Sequence, residues 1–107
     1  MQKLELILSP EADDNLAIIY NHSFDSWGKK RADSYLDELE KSFDMLCKSP
    51  NIGQQHPDIS IIYRIFPVNK HWIIYNTQKS QLIIIAIIHM SMDVEKRLEK
   101  FIKNIEK

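Results

Sequence analysis

Residues 59–92, ISIIYRIFPVNKHWIIYNTQKSQLIIIAIIHMSM, form the most apolar part of this chain and decide its fold. Their apolar runs are rich in β-branched and aromatic residues, and short polar breaks separate the runs at hairpin spacing. The pattern predicts three consecutive strands, at residues 61–66, 71–75 and 82–88. Because the third run is apolar at every position, both faces of that strand must be covered.

The chain before this stretch predicts a strand followed by a helix. Residues 3–8, KLELIL, alternate and predict a first strand beside the later three. Ser9 is suited to cap a helix that begins at Pro10, and acidic residues follow in its first turn. The apolar residues of this helix recur at helical spacing; they are Ala12, Leu16, Ile19, Tyr20, Phe24 and Trp27.

Gly28 is predicted to separate this helix from a second one, since glycine commonly ends a helix. The second helix is predicted over residues 29–48, and Pro50 stops it. So short a connection makes the two helices antiparallel, and their combined apolar stripe needs one face of the sheet. The predicted buried side of the second helix consists of Ala32, Tyr35, Leu36, Leu39, Phe43, Leu46 and Cys47.

The remaining segments are a loop at residues 51–60 and an amphipathic helix at residues 92–107. The element order is therefore β-α-α-β-β-β-α, an α+β fold in one domain spanning residues 1–107. We expect a largely antiparallel sheet with the helical hairpin on one face. The other face must be covered by the C-terminal helix or by a partner chain.

Composition excludes several classes of protein. The chain has 107 residues, of which 44% are hydrophobic and 27% charged, and this is typical of one globular domain. Its longest apolar run is too short to cross a bilayer, and no signal peptide is recognisable, so we expect a cytoplasmic protein without membrane contact. A single cysteine, Cys47, agrees with a reducing compartment and is expected in the core.

The charge balance argues against a protein that grips nucleic acid unaided. Fourteen basic and fifteen acidic residues give a formal net charge of -1, whereas nucleic-acid binding usually needs a basic excess. The four histidines and one cysteine do not follow a metal-ligand spacing, so we predict no metal and no cofactor. We expect His71, Trp72 and Tyr75 on the middle strand to belong to the core, with Trp72 on the opposite face from the other two.

The ordered set of motifs resembles the ParE/RelE superfamily of bacterial type II toxins, and most closely its ParE-like, plasmid-stabilisation branch. Together the motifs span nearly the whole chain. They are SPEADD at 9–14, the Tyr20 to Gly28 helix end, the Ala32, Tyr35, Leu39, Phe43 and Leu46 stripe, SPNIG at 49–53, YRIFP at 63–67, HWIIY at 71–75 and IIHMSMD at 87–93.

The resemblance implies a toxin that is neutralised by a small antitoxin wrapped around it, in a complex that can be a heterotetramer. ParE-like members act on DNA gyrase and stall it after DNA cleavage. RelE-like members instead cut messenger RNA in the ribosomal A site. Because the two branches share a fold, the fold does not choose between these activities.

Two polar residues in the apolar strands are the candidates for function. Arg64 can serve as a cation for a phosphate or an acidic antitoxin residue, or form a structural ion pair with a helix carboxylate. His89 can do acid–base work on a ribose hydroxyl, or simply hydrogen-bond at a strand end. Ser91 stands where many relatives of this kind carry Arg or Lys. Arg64 and His89 alone would therefore offer few groups for binding and cleaving a phosphodiester.

The last segment supplies the other predicted partner-binding residues: Lys96, Arg97, Leu98, Phe101 and Ile102. Its excess of basic residues suits an acidic antitoxin. We therefore favour a protein-binding gyrase inhibitor, with Arg64 and His89 in partner binding. The alternatives are a ribosome-dependent mRNA endonuclease that uses Arg64 and His89, and a degenerate toxin retained as a binding partner.

Overall fold

The computed structural model of the chain describes residues 3–55, 62–91 and Lys96. The elements are β1 Glu5–Leu8, α1 Pro10–Trp27, α2 Lys29–Lys48, a short 3-10 helix at Pro50–Ile52, β2 Arg64–Val68, β3 His71–Gln78 and β4 Gln81–His89. The α+β prediction is confirmed for these elements. The predicted helix at residues 92–107 and the loop residues 56–60 lie outside the described residues, apart from Lys96.

Both helices begin and end where the sequence predicts. The Ser9 hydroxyl accepts a hydrogen bond from the Ala12 N–H at 3.0 Å and donates one to the Ile85 carbonyl at 2.7 Å. Ser9 therefore caps α1 and also ties its first turn to β4. Gly28 separates the helices with φ of 91°, a left-handed conformation that glycine adopts without steric cost.

The sheet is mixed and has the strand order β1-β4-β3-β2. β1 runs parallel to β4, while the β2–β3 and β3–β4 pairs are antiparallel. The Leu4 N–H donates to the Cys47 carbonyl at 3.0 Å, so the end of α2 lies beside the start of β1. The helical hairpin thus brings the chain back to the end of the sheet at which β1 begins, and β2 begins at the same end.

The bounds of all four strands differ from the predicted ones. β1 begins at Glu5 rather than at residue 3, and β4 extends one residue further at each end, from Gln81 to His89. β2 begins at Arg64 and continues through Pro67 to Val68, rather than spanning residues 61–66. Proline is tolerated there because β2 is an edge strand, where a missing N–H breaks no ladder. β3 continues past Tyr75 to Gln78, since its polar end still pairs with β4 although it is solvent-facing.

A β-bulge in β4 changes which side chains face the helices. Ile74 pairs with Ala86 but Tyr75 pairs with Ile84, which leaves Ile85 without a partner on β3. The alternation of β4 therefore shifts by one residue after Ile84. Beyond the bulge, His89 lies opposite His71 and on the same sheet face as it.

The two faces of the sheet carry separate apolar clusters. The cluster under the helical hairpin contains Ala12, Leu39, Phe43, Leu46, Cys47, Val68, Ile73, Tyr75, Leu82, Ile84 and Ile87. The cluster on the opposite face contains Tyr63, Ile65, Ile74, Ile85, Ala86 and Ile88, with Trp72 and Ile83 beside it. The predictions that β4 is covered on both faces and that Cys47 belongs to the core are confirmed.

Candidate partner-binding groove

Arg64 lies at the start of β2, where it holds the turn that follows α2. Its Nη1 donates to the Gly53 carbonyl at 2.8 Å and approaches the Asn51 carbonyl at 3.5 Å. Of the two interpretations of Arg64, the structural one involves main-chain carbonyls rather than a helix carboxylate among the described residues. The half-buried guanidinium is committed to the fold of its own chain.

Tyr75 fastens the same turn from the sheet. Its hydroxyl donates to the Pro50 carbonyl at 2.7 Å and accepts from the Gly53 N–H at 3.0 Å. The fit is so close that a Cβ on Gly53 would lie 2.7 Å from Cε1 of Tyr75. We call the end of the sheet that carries Arg64 and Tyr75 the turn end. Burial raises the pKa of the Tyr75 hydroxyl, so that group stays protonated and available as a donor.

The structure does not bring Arg64 and His89 together. Arg64 lies opposite Tyr75, and His89 lies opposite His71, on the two outer neighbours of β3. Because Tyr75 and His71 are four residues apart, the separation along the strand alone is about 13 Å. A single phosphodiester cannot contact both side chains, so the catalytic alternative loses its predicted pair.

A groove lined by described residues lies at the opposite end of the same sheet face. We call it the hairpin–sheet groove. It has a volume of about 670 Å³ between the helical hairpin, the β2–β3 turn and the end of β4. Its histidine end consists of His22, Tyr35, Lys70, His71 and His89. Its apolar rim consists of Ile18 and Trp27, and Arg31 lies beside Trp27.

The histidine end is held by hydrogen bonds from two directions. The Tyr35 hydroxyl lies 2.5 Å from Nδ1 of His71, and the His71 and His89 rings meet edge to face with centroids 5.2 Å apart. Nδ1 of His89 accepts from the Ser91 N–H at 3.1 Å and lies 2.8 Å from the Ser91 hydroxyl. The proton of neutral His89 is therefore assigned to Nε2.

Burial lowers the pKa of His71 to about 4, and the neighbouring His89 and His22 act in the same direction. Burial also raises the pKa of the Tyr35 hydroxyl. At neutral pH both groups at the floor of the groove are thus uncharged. The permanent charges around them come from Arg31, Lys70 and Glu38.

The apolar rim presents large side chains to solvent. Ile18 is 65% exposed and Trp27 is 68% exposed. The guanidinium carbon of Arg31 lies 5.4 Å from the centroid of the Trp27 ring, a cation–π contact that orients both groups. Exposed apolar side chains beside a groove are typical of a protein-binding surface.

The described residues include no group of three His, Cys, Asp or Glu side chains that could hold a metal ion. In the same part of the chain, no helix is long and apolar enough to cross a membrane. Cys47 is buried, and this burial raises the pKa of its thiol. A core thiol of this kind is unsuited to nucleophilic chemistry.

Of the three predicted site residues that the structure describes, Arg64, His89 and Lys96, His89 is the one that lines the hairpin–sheet groove. Lys96 has a helical backbone and an exposed side chain, and the other predicted residues of the last segment lie outside the described residues. The sequence reasoning missed His71, Tyr35 and the Trp27–Arg31 pair. The i, i+4 spacing of Trp27 and Arg31 across the Gly28 break was an available signal for the last of these.

Comparison with known proteins gives a consistent result. The family described as ParE toxin of type II toxin-antitoxin system, parDE, matches residues 6–94. A protein named Toxin ParE1 from Mycobacterium tuberculosis is 31% identical over 93 residues, which cover 86% of this chain and 95% of that protein. Toxin ParE1 from Caulobacter vibrioides is 29% identical over 91 residues, 85% and 94% of the two chains.

A solved structure shares the fold. The chromosomal ParDE TA system from P. aeruginosa contains a chain that aligns with a TM-score of 0.71 and 17% identity, covering 81% of this chain and 96% of that one. At this identity the likeness concerns the fold alone.

Proposed function

Because the chain belongs to the ParE toxin family of type II toxin–antitoxin systems, we propose that it inhibits DNA gyrase by direct protein–protein binding and is silenced by a cognate, ParD-like antitoxin. It acts in the cytoplasm. The antitoxin occupies the hairpin–sheet groove, and the toxin and antitoxin assemble as a heterotetramer. The last segment, including Lys96, Arg97, Leu98, Phe101 and Ile102, makes a second contact.

The observation that carries the antitoxin site is the hairpin–sheet groove itself. It combines a volume of about 670 Å³ with two side chains, Ile18 and Trp27, that are about two-thirds exposed. Burying such side chains against a partner removes apolar surface from water and stabilises the complex. Arg31 and Lys70 add positive charge that favours an acidic segment.

The proposal assigns no catalytic step to this chain. Arg64 donates to the Gly53 carbonyl and lies far from His89, so it cannot clamp a phosphate at the groove. We assign Arg64 to the support of the turn after α2 and His89 to partner binding. An mRNA endonuclease is the alternative that the first experiment separates from gyrase inhibition.

The activity is tested with the purified chain, free of antitoxin, in a supercoiling assay with gyrase. We expect loss of supercoiling and linear plasmid that appears after protein digestion, because the stalled enzyme holds cleaved DNA. The same sample is added to translating ribosomes, where we expect no cleavage of mRNA. Ribosome-dependent cleavage without any effect on gyrase would overturn the proposal.

The antitoxin site is tested by measuring the affinity of the antitoxin encoded beside this gene. Trp27→Ala removes the exposed ring of the apolar rim and is expected to weaken binding by about 2 kcal/mol, roughly thirtyfold. Phe24→Ala is the matched control, since Phe24 is 45% exposed on the same helix but does not line the groove. Equal losses for the two variants would exclude the groove as the antitoxin site.

The predicted heterotetramer is tested by light scattering of the purified complex. A mass corresponding to two toxins and two antitoxins is expected. A mass that corresponds to one copy of each would limit the assembly to a heterodimer.

A further inference from the structure

The histidine end of the groove has a property that its apolar rim does not share: it holds imidazoles, which can take up protons. We propose that this end, within the antitoxin site proposed above, receives an acidic side chain of the antitoxin and takes up a proton from solvent when the complex forms. The antitoxin carboxylate then faces an imidazolium rather than the neutral His71 ring.

The geometry supports one carboxylate shared by two imidazoles. The centroids of the His71 and His89 rings are 5.2 Å apart, and their Nδ1 atoms are occupied by Tyr35 and Ser91. Within the described part of the chain, neither Nε2 atom has a hydrogen-bond partner. A carboxylate has two acceptor oxygens, so it can accept from both Nε2 positions.

The charges that face the histidine pair favour an anion. From α1, His22 adds a third imidazole, and from the β2–β3 turn Lys70 adds a permanent positive charge. α2 contributes the neutral Tyr35 hydroxyl, the cation Arg31 and one carboxylate, Glu38. The permanent charges therefore sum to one positive charge, and an incoming acidic side chain is attracted rather than repelled.

The free protein holds His71 neutral. Its pKa of about 4 follows from burial and from the nearby His89 and His22. An opposite charge within hydrogen-bonding distance raises the pKa of an imidazole, typically by about one to three units. A carboxylate bound beside His71 therefore favours the protonated form of this imidazole in the complex, relative to the free protein.

Linkage converts this difference into a measurable pH dependence. If the complex binds more protons than its separated components, its affinity rises as the pH falls. Antitoxin carboxylates stay ionised above about pH 6, so they do not oppose the effect. We expect binding by the wild-type chain to tighten by about three- to tenfold between about pH 8 and about pH 6.

The experiment measures antitoxin affinity by calorimetry at about pH 8, 7 and 6, using the full-length antitoxin encoded beside this gene. The wild-type chain is compared with His89→Gln and with the double variant His71→Gln, His89→Gln. Glutamine keeps hydrogen-bonding groups but does not titrate, and His89→Gln alone serves if the double variant does not fold. Lys79→Gln, on the distant β3–β4 turn, is the control for a lost polar side chain.

We expect the pH dependence to fall below about twofold in the double variant and to be reduced in His89→Gln, while Lys79→Gln behaves like wild type. Repeating the titration in two buffers of different ionisation enthalpy counts the protons directly, and we expect net proton uptake on binding by the wild-type chain and less uptake by the double variant. Protons that titrate on the antitoxin itself cancel in the comparison between variants.

The outcomes separate this inference from the antitoxin site on which it rests. Wild-type binding that is independent of pH, or a pH dependence that survives in the glutamine variants, would overturn the proton-linked carboxylate site alone. If the wild-type chain does not bind the antitoxin at any pH, both the antitoxin site and this inference fail.

Discussion

The two ends of one sheet face make opposite use of similar polar residues. At the turn end, Arg64 and Tyr75 give their polar atoms to main-chain groups at Pro50 and Gly53. At the histidine end, His71 and His89 line the groove, and within the described residues their Nε2 atoms have no hydrogen-bond partner. The comparison teaches that a polar side chain in an apolar strand has a structural role where groups of its own chain accept or donate its hydrogen bonds. It is available for binding where its chain does not.

The largest expected effect is at the turn end and breaks its tight packing. Gly53→Val places a branched side chain against the buried ring of Tyr75, which should lower the free energy of unfolding by about 2 to 4 kcal/mol. Urea denaturation measures the loss. Asn51→Ala, exposed in the same turn, is the control and should change stability by less than about 0.5 kcal/mol.

The second prediction compares the two buried tyrosine hydroxyls directly. Tyr75→Phe leaves the Gly53 N–H and the Pro50 carbonyl without their partner, so we expect a loss of about 1 to 3 kcal/mol. Tyr35 is half-buried, and its hydroxyl donates to the Val68 carbonyl at 3.3 Å beside the solvent-accessible groove. Because water can replace the hydroxyl there, Tyr35→Phe should cost less than about 1 kcal/mol. Equal losses of unfolding free energy would contradict the distinction between a satisfied end and an open end.

The third prediction concerns Arg64. Arg64→Met keeps the apolar stem but removes the donor to the Gly53 carbonyl, and it should lower the free energy of unfolding by about 1 to 2 kcal/mol. Antitoxin affinity, measured on the folded variant, should stay within about twofold of wild type. A large loss of affinity with unchanged stability would move Arg64 from the fold into the binding site.

The smallest expected effect is the pH dependence of stability in the free chain. The pKa of His71 is about 4 in the folded protein and near 6.5 when unfolded, so acid favours the unfolded chain. The stability associated with neutral His71 is present above about pH 6.5 and is lost as the pH falls towards 4. Because the side chain is half-buried, the loss is discounted to about 1 kcal/mol. Urea titrations of His71→Gln should show a flatter pH profile than those of wild type.

The helices were the most predictable part of the fold, because their signals are local. Ser9 with Pro10 marks the start of α1, Gly28 marks its end and Pro50 stops α2, and each of these works within one helical turn. The strands were located correctly, but their ends were not. Pro67 and the polar end of β3 are strand residues only because a neighbouring strand pairs with them.

The candidate site was predictable only in part. His89 was recognised because a histidine stands out in an apolar strand, whereas His71 was assigned to the core and Tyr35 to a helical stripe. Both assignments follow correctly from periodicity, since both side chains do face the hairpin side of the sheet. Periodicity cannot show how far the helices cover this face of the sheet. The hairpin–sheet groove begins where that cover ends.

The sequence by itself determined the α+β class, the helical hairpin, the order of the elements from β1 to β4 and the need to cover both faces of β4. These features depend on local propensity and on the spacing of apolar residues. Only the tertiary structure decided that β1 joins β4 in parallel and that His89 joins His71. The bulge at Ile85 is the physical reason for the second outcome. One extra residue in β4 reverses the alternation of every side chain after it, and so turns His89 towards the groove instead of the opposite face of the sheet.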